Sequence, residues 1–243
     1  MLKPFTYQPF TIEEEIMHHL MLQSFSLKRN GLLYGKLGIA IAFFEWGRRC
    51  NNRVYTDFAT ELNKDLPARI DERVTCDFAT GLCGFGWGVE YMVQQRFADC
   101  NRICEEIDQR VMAVDIRRMN NFSLESGLEG FLHYILIRLA GTGSQNKNVM
   151  PFDDLYLKDT YNRLQSLPEE LISNNLHRLK QAFISCMDAG SSDYKPDICS
   201  FTNDLELNGK EDILSAKPGL ADGLAGKIIR MVHHLSGHKY GLS

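Results

Sequence analysis

No stretch of this chain is both long and apolar enough to cross a membrane as a helix, which takes roughly 18–20 residues. The richest run, 39–46, is followed almost at once by Arg48 and Arg49. A basic segment leading into an apolar one, as a secretory signal requires, is also missing, because the N-terminal region turns acidic at Glu13, Glu14 and Glu15. The expected compartment is the cytoplasm. Cationic excess is absent as well: the formal net charge is −4, and pairs such as Lys28-Arg29 are too short to form a phosphate-binding track, so a nucleic-acid partner is not expected. Strand signals are poor. There is no sustained alternation of β-branched residues, and Asn30-Gly31 and Asn208-Gly209 lack the flanks of a hairpin. The seven cysteines are odd in number and scattered, which argues against a disulfide framework.

What remains is an ordinary globular composition, 44% apolar and 24% charged over 243 residues, enough for one domain spanning 1–243. Its organising feature is internal repetition. A glycine, usually a leucine and a second glycine precede an apolar run at Gly35-Lys36-Leu37-Gly38, Gly81-Leu82-Cys83-Gly84, Gly127-Leu128-Glu129-Gly130 and Gly223-Leu224-Ala225-Gly226. Gly35 to Gly81 and Gly81 to Gly127 are each 46 residues, and Gly127 to Gly223 is 96, close to two such periods. A degenerate fifth copy falls at 175–178. A period of this length holds two helices and two connections. The runs 39–46, 89–97, 132–139 and 228–235 are apolar on several sides and suit inner helices; 12–25, 55–66, 100–112 and 155–164 are more polar and suit an outer layer. Loops are expected at 141–151 and 189–200. The fold class expected is all-α, built from helix hairpins.

The wording of the motifs narrows this further. Leu33-Tyr34-Gly35-Lys36-Leu37-Gly38 resembles the Trp-Cys-Tyr-Gly-x-Pro-Gly signature of the lanthionine synthetase C-like (LanC-like) family. Ala221-Asp222-Gly223-Leu224-Ala225-Gly226 resembles that family's Cys-His-Gly-x-Ala-Gly signature, and Thr80-Gly81-Leu82-Cys83-Gly84-Phe85-Gly86-Trp87-Gly88 looks like its glycine-rich turns before inner helices. The likeness covers most of residues 30–235. It implies an α/α-toroid, here an incomplete one with four or five hairpins against the family's usual seven, closed by a partner or by a homo-oligomer if it closes at all. It also implies a place in peptide modification, in which family enzymes add a cysteine thiol to a dehydrated serine or threonine on a zinc held by two cysteines and a histidine. The positions matching those ligands are Leu33, Ala221 and Asp222. No metal and no other cofactor is therefore expected, and the partner is a peptide substrate or a modification enzyme.

Several side chains are candidates for chemistry or binding. Asp77, Glu125, Glu129 and Asp222 flank the glycine motifs; gathered at one mouth they would supply general acid and base, although carboxylates there also cap helices. Cys83, at a helix start where amide dipoles lower a thiol pKa, is the best candidate nucleophile. Tyr34 and Trp87 would form a substrate platform with Asp77 and Asp222. Cys100 and Cys104, four apart, share a helix face, as do His234 and His238 beside His233, and either pair would make half of a metal site. Two enzymatic alternatives stand beside peptide binding. One is a metal-free toroid enzyme acting on a carbohydrate or peptide. The other is a cyclase whose zinc ligands have moved to Cys76, Cys83 or Cys199.

Overall fold

The computed structural model describes residues 10–64, 73–99, 102–144, 150–190 and 192–237, and every regular element among them is helical. The more polar segments become α1 (Ile12–Ser26), α3 (Arg53–Lys64), α5 (Ile103–Met112) and α7 (Asp154–Gln165); the stretch at the degenerate copy becomes α8 (Asn174–Ala189), and a short α9 (Lys210–Ser215) follows. The glycine-led runs become α2 (Lys36–Cys50), α4 (Leu82–Gln94), α6 (Leu128–Ser144) and α10 (Leu224–Gly237).

The two classes start differently. Side chains cap α1, α7 and α8. Thr11 and Glu14 form a reciprocal capping box on α1, while Asp153 and Ser173 accept the amides of Tyr156 and Leu176. At α2 and α4 the cap is a glycine with no side chain to offer. Main chain does the work instead. The first helical amide donates to a carbonyl seven residues earlier, as Lys36→Arg29 (2.9 Å), Leu82→Thr75 (2.9 Å), Leu128→Asn121 (2.9 Å) and Leu224→Lys217 (2.8 Å). These four lead-in turns therefore share one backbone design. The second glycine of each motif fits it: a Cβ at Gly38, Gly84, Gly130 or Gly226 would overlap the carbonyl oxygen of Leu32, Phe78, Leu124 or Leu220, in each case six residues upstream.

Adjacent turns are also joined. The amides of Leu220 and Ala221 donate to the Leu33 carbonyl (2.8 and 3.1 Å). Leu33 donates to Ala79 (3.1 Å), and Phe78 and Ala79 donate to Glu125 (2.8 and 3.0 Å). The helices behind them follow the same order, with α10 on α2, α2 on α4, α4 on α6 and α6 on α8. α1 lies against α2 and α10, α3 against α2, α5 against α4, and α7 against α8. The degenerate copy at 175–178 is the start of α8, which keeps a place in the series but takes an ordinary serine cap in place of the glycine turn.

One expectation needs correcting. Gly84, Gly86 and Gly88 were expected in a turn before a helix at 89–97, yet all three lie inside α4, which ends at Gln94. Intrinsic propensity disfavours glycine there by about 0.5–1 kcal/mol each relative to alanine. Packing overrides it, because a Cβ would meet the Phe78 carbonyl at Gly84, the Tyr134 ring at Gly86 and the Leu37 side chain at Gly88.

At the far ends of these helices the core holds charge. Arg138 of α6 grips Asp108 of α5 through Nε (3.0 Å to Oδ1) and Nη2 (2.6 Å to Oδ2), and its Nη1 reaches Glu90 of α4 at 2.9 Å. The Tyr134 hydroxyl donates to Asp108 at 2.5 Å. All four side chains are buried. Burial pushes the Asp108 carboxyl up, against the opposing pull of Arg138 and Tyr134. Nearby, Tyr91 donates to buried Glu45 at 2.6 Å and Arg48 pairs with the same carboxylate at 2.8 Å. Between the inner helices runs the segment after α8, whose Phe201 ring lies 5.0 Å from Phe78, 4.8 Å from Trp87 and 4.9 Å from His133.

Candidate functional site

The lead-in turns bring four of the expected residues to one end of the inner helices. Tyr34 donates its hydroxyl to Glu125 at 2.5 Å, across the space between the α2 and α6 turns. That bond, then burial and the charges of Glu125 and Asp222, push the phenol up to about 12. Asp77 caps the α4 turn: its Oδ1 accepts the amides of Thr80 (2.8 Å) and Gly81 (3.0 Å), and its Oδ2 accepts the Thr75 hydroxyl. Asp222 pairs with Lys217 at 2.5 Å through Oδ2.

Two cavities open here, of about 500 and 680 Å³. The first is lined by Asn30, Asp77, Thr80 and Glu125, the second by Gln23, Lys28, Lys217 and Asp222, and Arg29 and Tyr34 line both. The mouth thus mixes carboxylates with Lys28, Arg29 and Lys217. It also holds acceptors in need of donors. Gln23 Oε1, Asn30 Oδ1 and Asp222 Oδ1 are shielded from solvent and reached by no hydrogen-bond donor among the described residues. An acceptor left this way costs about 1–3 kcal/mol.

Other candidates lie elsewhere. Glu129 faces α8, accepting Ser173 Oγ at 3.0 Å and Asn175 Nδ2 at 3.4 Å, so it braces two helices. Trp87 is fully buried, stacked on Tyr91 at 5.3 Å, and is a core residue; no substrate can lie on it. Cys83 is likewise enclosed. Burial raises its thiol well above the ordinary value, outweighing any helix dipole, so it is no activated nucleophile. Cys104 is buried against the Gly86 carbonyl, and its expected partner Cys100 lies outside the described residues. His233 and His234 are exposed, and His238 too lies outside the described residues.

The positions matching the family's zinc ligands do come together, since Ala221 donates its amide to the Leu33 carbonyl and Asp222 follows it. Their side chains do not fit a zinc ion. Leu33 and Ala221 carry no ligand atom, leaving Asp222 alone where structural and catalytic zinc sites use three or four donors. Among the described residues no three His, Cys, Asp or Glu side chains are grouped to hold a metal, and Cys76, Cys83 and Cys199 form no such group.

Sequence reasoning missed the cations Arg29 and Lys217 and the acceptors Gln23 and Asn30. Arg29 and Asn30 sit just before the first glycine motif and were visible by position. Gln23 is on α1, and nothing in its local sequence marks it. Compared with protein-family models, curated proteins and solved structures, the chain matches none.

Proposed function

We propose that the chain is a divergent LanC-like protein, an incomplete α/α-toroid that binds a peptide, or a peptide presented by a modification enzyme, across the mouth formed by its lead-in turns, without zinc-dependent cyclisation. The observation that carries this reading is the pair of cavities that meet at Tyr34 and Arg29, lined by Gln23, Asn30 and Asp222, each of which carries a shielded acceptor with no donor among the described residues. A peptide main chain supplies N–H donors at regular intervals, and each of these side chains that turns to meet one recovers part of the desolvation cost. The mixed charge of the rim suits a peptide better than a polyanion.

The acids favour binding over general acid–base chemistry. Asp77 caps a turn, Asp222 holds Lys217, Glu125 holds Tyr34 and Glu129 braces α8, so each is committed to a separate partner.

The test is fluorescence anisotropy with labelled twelve-residue peptides rich in serine, threonine and cysteine, against shuffled peptides in which alanine replaces those residues. The expected result is saturable binding of the first set, weakened roughly tenfold or more by Asp222→Ala or Arg29→Ala, each of which removes a charged group from the mouth. No saturable binding of either peptide set, or affinities indifferent to both substitutions, would sink the proposal.

A further inference from the structure

A third cavity, about 610 Å³, lies between α8 and the segment 192–200. At its inner wall is His133 of α6, a residue only 8% exposed. Its Nδ1 is 2.8 Å from the Tyr194 hydroxyl, and that oxygen is 3.0 Å from Trp87 Nε1. Tyr194 accepts the indole N–H of Trp87, since an indole can only donate. When the phenol gives its own proton to His133 Nδ1, the imidazole carries its proton on Nε2. Burial, with a smaller push from Arg178, drives the ring's pKa down to about 3, which keeps it neutral at physiological pH.

In that arrangement His133 offers one N–H donor at a cavity wall, and no acceptor for its Nε2 is found among the described residues. Two cations share the cavity, Arg178 on α8 and Lys195 on the facing segment, neither with an ion-pair partner among the described residues. Asp193 and Asp197 also line it. The lining is thus nearly neutral overall and does not suit a polyanion. Arg178, Lys195 and the imidazole line this one cavity and are the donors it offers to an oxyanion.

We infer that the cleft between α8 and the 192–200 segment is a small-molecule site, separate from the peptide mouth, that takes a ligand through one carboxylate or phosphate group held by His133 Nε2–H, Arg178 and Lys195. The Trp87–Tyr194 pair acts as a positioning device that fixes the imidazole as a donor. Because the ring is neutral, it gives a hydrogen bond without bringing a charge that changes between pH 5 and 8. It is suited to hold an oxygen in place.

The experiment is a long-range ¹H–¹⁵N spectrum of the histidine-labelled protein, with Arg178 side-chain signals followed in parallel, during separate titrations with inorganic phosphate and sodium acetate. The expected result is the Nε2–H tautomer for His133 and a saturable shift of its Nε2–H and of Arg178 with at least one anion. The anion that saturates at lower concentration identifies the group as phosphate or carboxylate. Arg178→Ala, at an exposed position that leaves the core intact, is expected to weaken binding roughly tenfold. Arg118→Ala, removing an exposed cation remote from the cleft, leaves it unchanged. The opposite tautomer, the absence of a saturable shift with either anion, or equal affinity of the Arg178→Ala and unaltered proteins overturns the inference.

Discussion

Alanine in place of Gly84 separates two explanations for the repeated glycines. If they merely lengthen turns, Gly84→Ala inside α4 gains helix propensity, about 0.5–1 kcal/mol. The geometry gives the opposite sign. A Cβ at Gly84 would overlap the Phe78 carbonyl oxygen and lie 2.9 Å from its carbon, and both atoms belong to main chain that cannot swing aside like a side chain. Relief requires the start of α4 to move away from its lead-in turn. That stretches the Leu82→Thr75 hydrogen bond, now 2.9 Å, and shifts the Phe78 and Ala79 amides on the Glu125 carbonyl. Overpacking of this kind costs about 1–3 kcal/mol and each weakened hydrogen bond about 1 kcal/mol, so the net expectation is a loss of about 3 kcal/mol. For a chain of this size that lowers Tm by about 6–12 °C. Circular dichroism at 222 nm during thermal and urea unfolding measures it. Gly209→Ala serves as the control, since a Cβ there meets nothing within 4 Å. A Gly84→Ala protein as stable as the parent, or more so, would refute the close-approach argument for the whole set.

The buried His133 makes stability fall with acid earlier than carboxylates alone would. Its folded pKa of about 3 lies below the unfolded value near 6.5, so the unfolded chain takes up the proton first. The contribution is complete above pH 6.5 and erodes as pH falls towards 3, reaching about 2.5 kcal/mol at pH 4.5; urea titrations of the parent against His133→Gln should show the difference, and parallel curves between pH 7 and 4.5 would count against it. Arg178, Tyr194, Phe78 and Phe201 are the groups facing the ring. Arg138→Met should cost about 3–5 kcal/mol by stranding Asp108 and Glu90 without their cation, whereas the triple replacement by apolar residues of similar volume should recover most of it; chemical denaturation of the two variants decides. Glu125→Gln should bring the Tyr34 phenol down from about 12 towards 10, read by ultraviolet difference titration against the unaltered protein, and an unchanged value would mean that the short bond is absent in solution.

The helical class was legible, as was which helices are buried on several sides and which on one, because apolar breadth and amphipathicity are properties of local sequence. Tyr34, Asp77, Glu125 and Asp222 were found because each sits within a few residues of a glycine motif, and the motifs mark the helix starts. The errors share one cause. Position along the chain says where a residue enters a helix but not which way its side chain turns. Cys83 and Trp87, one and five residues into α4, point into the core, and Glu129 turns sideways to α8. The glycines at 84, 86 and 88 looked like a turn because their reason for being there lies on other elements, the Phe78 carbonyl, the Tyr134 ring and the Leu37 side chain. The His133 cleft was invisible for the same reason: Tyr194 stands in a polar loop, and only the fold carries it to Trp87.

The bond between Ala221 and Leu33 closes the longest loop among the lead-in turns, and it bears on how the molecule is made. During synthesis α2 emerges well before α10, the helix that covers one of its sides. Until then the nascent chain carries an unfinished apolar wall at α2, and it carries the core rings that Phe201 later covers. Contacts so distant in sequence slow folding and lengthen the exposure of such surfaces to other chains. A circular permutant that begins at Lys210 would bring α10 and α2 out of the ribosome together and shorten that interval.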